Sequence, residues 1–256
     1  MQRRRLGQTE IEVSVLGLGT VKFGRVEGVK YPLAFNIPTD EEAANLLALA
    51  KDLGINLLDT APAYGTSEER LGALLKGMRH EWVISTKVGE SFVNGESQFD
   101  FSQDAITQSV DRSLKRLQTD YLDVVLVHSN GEDVKLINES GVFETLALLK
   151  QAGKIRAYGM STKTVEGGLL TIAKSDVAMV TYHPAYQDEH DVIMKAYQEN
   201  KGIFIKKALA SGHLQQFQSP DPVRESLQFI LAEPGVTSVI IGTINPTHLR
   251  ENVAAL

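Results

Sequence analysis

Eight short apolar runs recur along this chain, and that recurrence constrains the fold more than any other feature. They begin near Val15, Ile55, Trp82, Leu122, Ile155, Val177, Ile203 and Val236, each four to six residues long and rich in Val, Ile or Leu. Runs of that kind suit strands buried on both faces of a parallel sheet. Helix-length segments separate them. Ile106, Val110, Leu114 and Leu117 share one helical face, with Ser102 placed to cap it. Thr66-Ser67-Glu68-Glu69 has capping-box spacing ahead of Leu71, Leu74 and Leu75. Residues 144–152 run into Gly153, which reads as a helix end.

Eight strand–helix repeats in 256 residues, about 32 residues apart, describe a (β/α)8 TIM barrel, an α/β fold. A doubly wound sheet would show G-x-G-x-x-G at its first strand–helix turn. Gly17-Leu18-Gly19-Thr20-Val21-Lys22-Phe23-Gly24 has other spacing and enters a long loop, residues 25–39, so the barrel is preferred. Ahead of it, residues 3–6, the turn Gly7-Gln8-Thr9-Glu10 and the alternating Ile11-Glu12-Val13-Ser14-Val15 read as a β-hairpin. The expectation is one domain over residues 1–256, with that hairpin closing the barrel floor.

Composition then narrows the chemistry. The chain has no cysteine, which removes disulfides, thiolate metal sites and thiol nucleophiles together. Its formal charge of −6 argues against a general nucleic-acid binder. The N-terminal Met1-Gln2-Arg3-Arg4-Arg5 is followed by mixed polar sequence, unlike a signal peptide, and no apolar run has membrane-spanning length. A cytoplasmic protein without membrane or nucleic-acid partners is expected, a monomer with an oligomer as the alternative.

Barrel active sites lie at the C-terminal ends of the strands. There, Ile55-Asn56-Leu57-Leu58 ends in Asp59, Trp82-Val83-Ile84-Ser85-Thr86 in Lys87, and the run from Leu122 in His128. Tyr64 follows Asp59 in a loop punctuated by Pro62 and Gly65. Singly, each has an ordinary structural explanation: a turn cap, a solvated lysine, a core histidine, a packing tyrosine. Four on adjacent strands suit one chemistry. A phenol with pKa ~10 becomes a useful acid–base when an ammonium stabilises its anion and a carboxylate holds that ammonium. A neutral imidazole supplies a hydrogen bond that orients a carbonyl. The histidines (80, 128, 183, 190, 213 and 248) are scattered, with no metal-binding pattern. Reduction of a carbonyl would therefore draw its hydride from a nicotinamide cofactor.

At these residues the sequence resembles the aldo-keto reductase superfamily. The stretches that carry the likeness are Asp59-Thr60-Ala61 with Tyr64-Gly65, Ser67-Glu68 and Leu71-Gly72; Ser85-Thr86-Lys87; and Ser113-Leu114 with Arg116-Leu117, Asp120-Tyr121-Leu122-Asp123 and His128-Ser129. Gly153-Lys154-Ile155-Arg156-Ala157-Tyr158-Gly159-Met160-Ser161, then Gly242 and Glu251-Asn252, extend it. Arg4, Leu6-Gly7, Gly19-Thr20 and Gly24 resemble members with a hairpin in the barrel floor. The resemblance implies NAD(P)H bound across the rim without a Rossmann fold. It also implies Tyr64 as general acid–base, Lys87 as modulator of its pKa, Asp59 as partner of Lys87, and His128 as carbonyl orienter.

The implied cofactor shell takes in Gly19 and Thr20, Asp59, Ser161 and Thr162, and Met179 where many members carry Gln. Lys206 stands where an aromatic often stacks on the nicotinamide, followed by Lys207, Leu209, Ser211 and Gly212 as candidate pyrophosphate contacts. Ile241, Gly242, Thr243, His248, Glu251 and Asn252 complete it. Arg250 falls roughly 200° away from His248 on a 3.6-residue helix and is expected to point elsewhere. With no arginine clamp evident for a 2′-phosphate, NADP(H) is favoured with weak discrimination, and NAD(H) is the alternative. Val21, Phe23, Tyr64, Phe92 and His128 are the substrate-side candidates. The chain stops four residues after Asn252, where members often continue into a pocket wall, so a more open pocket is expected, shaped by residues 21–23, the long loop 25–39 and the segments after Lys87 and His128.

The resulting expectation is reduction of aldehydes or ketones. The alternatives are an NAD(P)+-dependent dehydrogenase acting on a sugar or other alcohol, and a non-enzymatic NADPH-sensing regulatory subunit.

Overall fold

The computed structural model describes residues 1–217 and 219–256. Its eight parallel strands are β3 (Leu16–Gly19), β4 (Leu57–Asp59), β5 (Val83–Val88), β8 (Leu122–His128), β9 (Ile155–Ser161), β10 (Val177–Thr181), β11 (Gly202–Lys206) and β12 (Ser238–Ile241). Each pairs in parallel with its neighbour, and β12 closes on β3, making a closed barrel. Every apolar run read from the sequence is one of these strands.

Nine helices accompany them: α1 (Asp40–Asp52), α2 (Ser67–Leu74), α3 (Gln103–Arg116), α4 (Asp133–Glu139), α5 (Val142–Gln151), α6 (Val165–Lys174), α7 (His190–Gln198), α8 (Pro222–Leu231) and α9 (Pro246–Ala254) among the described residues. Ser102 caps α3 through the Ala105 amide, as its position predicts. The capping box lies elsewhere than expected. Thr66 precedes α2 but its side chain makes no cap bond, and Glu69 turns to Arg116 Nε at 3.1 Å. The box forms at α1, where Thr39 Oγ1 accepts from the Glu42 amide and Glu42 Oε2 accepts from the Thr39 amide.

The floor is closed by β1 (Arg3–Arg5) and β2 (Glu12–Ser14), paired antiparallel. Leu6, Ile11 and Val13 enter the barrel and pack with Leu57, Val83, Val124, Leu126, Ala157, Val177, Met179 and Phe204. Leu6 lies so close to β11 that a methyl on Gly202 would meet its Cδ1 at 2.3 Å. A second, larger core fills the space between barrel and helices. One element went unread in the sequence: a hairpin of β6 (Glu90–Val93) and β7 (Glu96–Phe99), turned by Asn94 and Gly95 at φ 54° and 84°. Asn-Gly between strands is the ordinary marker of such a turn. Among the described residues no helix is long and apolar enough to cross a membrane.

Candidate active site

The interior of the barrel is laid down by the two-residue period of its strands. Leu57 is followed inward by Asp59, Val83 by Ser85 and Lys87, Leu126 by His128, and Phe204 by Lys206. The lower member of each series joins the floor core, and the upper member reaches the C-terminal rim. Register carries the row from strand to strand: His128 pairs with Ser161, and Ser161 with Met179. Site and core are thus consecutive layers of one stack.

At the centre, Lys87 Nζ donates to both carboxylate oxygens of Asp59 and to the Thr60 carbonyl, each at 2.8 Å. Burial works against its charge, but Asp59 and Tyr64 outweigh that and leave the ammonium pKa raised. Nζ lies 4.9 Å from the centre of the Tyr64 ring. Burial raises the Tyr64 phenol, with Lys87 pulling the other way. Tyr64 meets His128 edge to face, ring centres 6.5 Å apart. Burial lowers the His128 imidazole, seconded by the charges of Lys87 and Lys206 and opposed by Glu90.

These groups open into a cavity of about 610 Å³ at the rim. Asp59, Tyr64, Lys87 and His128 line one end, then Ser161, Met179 and Lys206. Lys207, Leu209, Ser211 and Gly212 continue it, and Gly19, Ile241, Gly242, Thr243, His248, Glu251 and Asn252 line the remainder. Val21 joins them from the substrate-side candidates. Arg250 is exposed and absent from the lining.

Four expected contacts lie elsewhere. Thr20 and Thr162 each follow an inward residue, Gly19 and Ser161, and so face the other side of the wall. Thr20 Oγ1 bonds the Asp59 carbonyl and Ser67 Oγ, while Thr162 Oγ1 reaches Glu189. Phe23 is wholly buried in the core between barrel and helices. Phe92 lies on the β6–β7 hairpin beneath the Arg25 guanidinium, 3.3 Å from the ring centre, outside the cavity lining.

The loop after β11 also differs from expectation. Lys206 belongs to the strand, and its Nζ donates to Ser161 Oγ at 3.0 Å and to the Thr162 carbonyl. Burial brings its pKa down to about 8, with nearby Glu189 opposing. The amides of Ala210, Gly212 and His213 are engaged by carbonyls of Lys207, Leu209 and Ala210. The side chains of Lys207 and Ser211 are among the anion donors the loop still offers.

Of the long loop 25–39, expected to shape the pocket, residues 31–33 do so. Tyr31, Pro32 and Leu33 line the cavity from the opposite side, bringing a segment of the long loop across its mouth. A methyl on Gly242 would meet Tyr31 Oη at 2.6 Å, and one on Gly212 would meet Pro32 at 3.2 Å. The pocket is therefore strapped where an open wall was expected. The contact of Glu90 with His128 was missed. The Glu90 carboxylate lies against His128 Nδ1, and the Asn-Gly turn beside it was the available signal.

The cavity fits a nicotinamide dinucleotide in three respects. It holds Asp59, Tyr64, Lys87 and His128 together in its lining. It offers Lys206, Lys207 and Ser211 part-way along. It ends at the N-terminus of α9, capped by Asn245 and without an acidic side chain in the first turn, a favourable place for a phosphate. Among the described residues no group of three or more His, Asp or Glu is arranged to hold a metal ion.

A model of the aldo/keto reductase family matches residues 15–226. The crystal structure of a putative aldo-keto reductase from Pseudomonas aeruginosa is 55% identical, with a TM-score of 0.90 over 99% of this chain and 93% of that one. An uncharacterised oxidoreductase of Bacillus subtilis is 30% identical over 100% of this chain and 91% of its own length. The L-galactose dehydrogenase of Arabidopsis thaliana is 29% identical over 100% of this chain and 88% of its own.

Proposed function

Because this chain belongs to the aldo/keto reductase family, a family of oxidoreductases that use nicotinamide cofactors, we propose that it reduces aldehydes or ketones to alcohols with NAD(P)H, Tyr64 serving as general acid. The observation that carries this reading is the buried Lys87–Asp59 pair set against Tyr64 in the lining of the rim cavity. A bound reduced nicotinamide would supply the hydride to the carbonyl carbon. Tyr64 gives its proton to the carbonyl oxygen as the C=O π pair moves onto that oxygen. Lys87 then stabilises the phenolate left behind, and Asp59 keeps Lys87 charged and in place. His128 orients the substrate oxygen from the other side.

Lys206, Lys207 and Ser211 would hold the cofactor's middle. Thr243, His248, Glu251 and Asn252 would hold the adenosine end. Thr243 and His248 leave a 2′-phosphate without an arginine fork, so the reading is NADP(H) with weak discrimination and NAD(H) as a second coenzyme. Parallel fluorescence titrations with NADPH and NADH test it: comparable affinities, with NADPH somewhat tighter, are expected. NADH binding tenfold tighter reverses the preference, and neither binding defeats the reading. A panel of aldehydes and ketones with both coenzymes then tests the reaction. The reverse flux, oxidation of an alcohol, uses the same groups, with the Tyr64 phenolate as base. The similarity to L-galactose dehydrogenase favours measuring it alongside.

A further inference from the structure

Lys87 and Lys206 both line the cavity at the barrel mouth, and their charges are met differently. Lys87 donates to both oxygens of Asp59. Lys206 Nζ donates to the Ser161 hydroxyl at 3.0 Å and to the Thr162 carbonyl, both uncharged. The carboxylates whose charge reaches it are Glu189, at the start of α7, and Asp133 on α4. Glu189 accepts from the Thr181 amide and the Thr162 hydroxyl. Asp133 accepts from the Lys163 and Thr164 amides and from the Thr164 and Ser129 hydroxyls. Neutral donors thus engage both carboxylates, and they offset the Lys206 ammonium only from a distance. Lys207 beside it and Lys87 on β5 add charge of the same sign, and His128 on β8 feels that of Lys206.

Ser161, to which Lys206 is bonded, pairs with His128 between β8 and β9 and with Met179 between β9 and β10. All of these line the cavity with Tyr64. A hydride donor must lie alongside the carbonyl that Tyr64 and His128 hold, with reacting atoms about 3–3.5 Å apart. The nicotinamide of a bound coenzyme would therefore lie within the field of Lys206, which already acts on His128. The oxidised ring carries one positive charge more than the reduced ring, and the phosphates are alike in both. Attraction of Lys206 for the phosphates cancels between the two forms, and its repulsion of the oxidised ring remains. In a buried site of low effective dielectric that repulsion is strong.

We propose that Lys206 makes the site selective for the redox state of its coenzyme, its ammonium favouring the reduced nicotinamide over the oxidised one. In a mixture of the two forms the site is then loaded with the reduced coenzyme, and the oxidised form leaves as product and inhibits weakly. Within the site the reduced form is harder to oxidise by the same factor. Departure of the oxidised form returns that free energy, so the overall equilibrium is untouched. The inference rests on the reductase reading and adds to it the residue that decides which coenzyme form occupies the site. The selectivity depends on pH through the same ammonium. Burial, with Lys207 and Lys87, brings its pKa down to about 8 against Glu189 and Asp133, so most of the charge is present at pH 7 and most is lost at pH 9.

The test measures binding to the whole protein without substrate or turnover: NADPH by its own fluorescence, and NADP+ by displacing it. The quantity read is the Kd of NADP+ divided by that of NADPH, at pH 7 and pH 9. In wild type at pH 7 NADPH should bind more tightly. The ratio should fall about threefold or more in Lys206→Met at pH 7, and by a similar factor in wild type at pH 9. Lys206→Arg, whose guanidinium stays charged, should keep the wild-type pH 7 ratio at both pH values. A smaller fall in Lys206→Met, or a fall at pH 9 that this variant shows equally, overturns the proposal. Equal weakening of both coenzymes in Lys206→Met assigns Lys206 to the phosphates alone and overturns it too. If Lys206→Met fails to fold, Lys206→Arg against wild type at pH 9 decides, since the charged variant must keep the larger ratio. If neither coenzyme binds, the reductase reading falls and this inference with it. If both bind with a ratio indifferent to Lys206, that reading stands and only the inference falls.

Discussion

Lys87 Nζ donates to Asp59 Oδ1, Asp59 Oδ2 and the Thr60 carbonyl, and it acts on Tyr64 through its charge more than through a hydrogen bond. Lys87 and Asp59 side chains are only 2% and 5% exposed. Removing one partner of a buried ion pair strands the other in a low dielectric and costs about 3–5 kcal/mol. Asp59→Ala is therefore expected to be destabilised by about that amount in urea denaturation. Asp59→Ala combined with Lys87→Met should lose less than the sum of the two single changes. Additive losses would mean that the pair is not energetically coupled.

Tyr64→Phe removes the proton donor and little else, because the ring's packing is kept. A positioned general acid contributes about 10²–10⁴-fold, so kcat should fall at least 100-fold with coenzyme affinity preserved. Burial holds the phenol above its ordinary value of 10, so the free protein keeps this proton throughout the neutral range. The acid limb of the rate profile should therefore owe nothing to Tyr64. Activity within tenfold of wild type removes the role assigned to it.

The barrel and the central four residues were legible because both follow from the same period. A strand buried on both faces reads as an apolar run, and its first ionisable residue on the inward face marks the rim, as Leu57 to Asp59 shows. Thr20 and Thr162 were misplaced by one residue of that period, since a neighbour in sequence faces the opposite side of a strand. The nearness of Glu90 to His128 and of Tyr31 to Gly242 could not be read: each joins segments whose meeting depends on how a hairpin or a long loop folds back. Thr66 met the spacing of a capping box but lost it to an ion pair of Glu69 with Arg116.

Lys206 provides a titration that can be followed without turnover. Its folded pKa of about 8 lies below the ordinary lysine value of 10.5. Between those values the unfolded chain binds the proton and the folded one does not, so this group makes stability rise with pH through that window. For an anionic ligand the sign is opposite: affinity should fall as pH rises through 8 and the ammonium is lost. In Lys206→Met both the alkaline gain in stability and the step in coenzyme affinity should shrink. Denaturation and NADPH titrations at pH 7 and pH 9 check both, and a variant with the wild-type pH dependence removes Lys206 as the source.

Leu6 is the plug of the floor, fully buried against Gly202. Truncating a buried leucine costs about 2–5 kcal/mol, depending on how far the cavity collapses. The barrel strands around Leu6 cannot close inward without breaking their ladder, so Leu6→Ala should fall in the upper half of that range. The active site, at the opposite rim, should keep its turnover below the melting temperature. Urea denaturation with a rate measured at 15 °C separates the two effects. A parallel loss of rate in the folded variant would couple floor to rim.

Tyr31 bridges the cavity mouth from the long loop to Gly242, with Lys22 Nζ 3.9 Å from its ring centre. The neighbouring Pro32 reaches Gly212 in the loop after β11. A dinucleotide lying along the cavity would pass between this strap and strands β11 and β12, so it could leave only when Tyr31 swings aside. Burial, aided by Tyr64, pushes the Tyr31 phenol up to about 12, which keeps it neutral and able to donate a hydrogen bond to a ligand phosphate or ribose oxygen. Tyr31→Ala should therefore speed release of NADPH about tenfold or more and weaken equilibrium binding to match, since most affinity changes appear in the off-rate. Tyr31→Phe separates the two contributions: it keeps the steric bar and loses the donor, so its off-rate should fall between wild type and Tyr31→Ala. Stopped-flow displacement of NADPH measures both. If Tyr31→Ala releases the coenzyme at the wild-type rate, the strap does not gate it. If release speeds while kcat rises, departure of the oxidised coenzyme limits turnover, as gating by this strap requires.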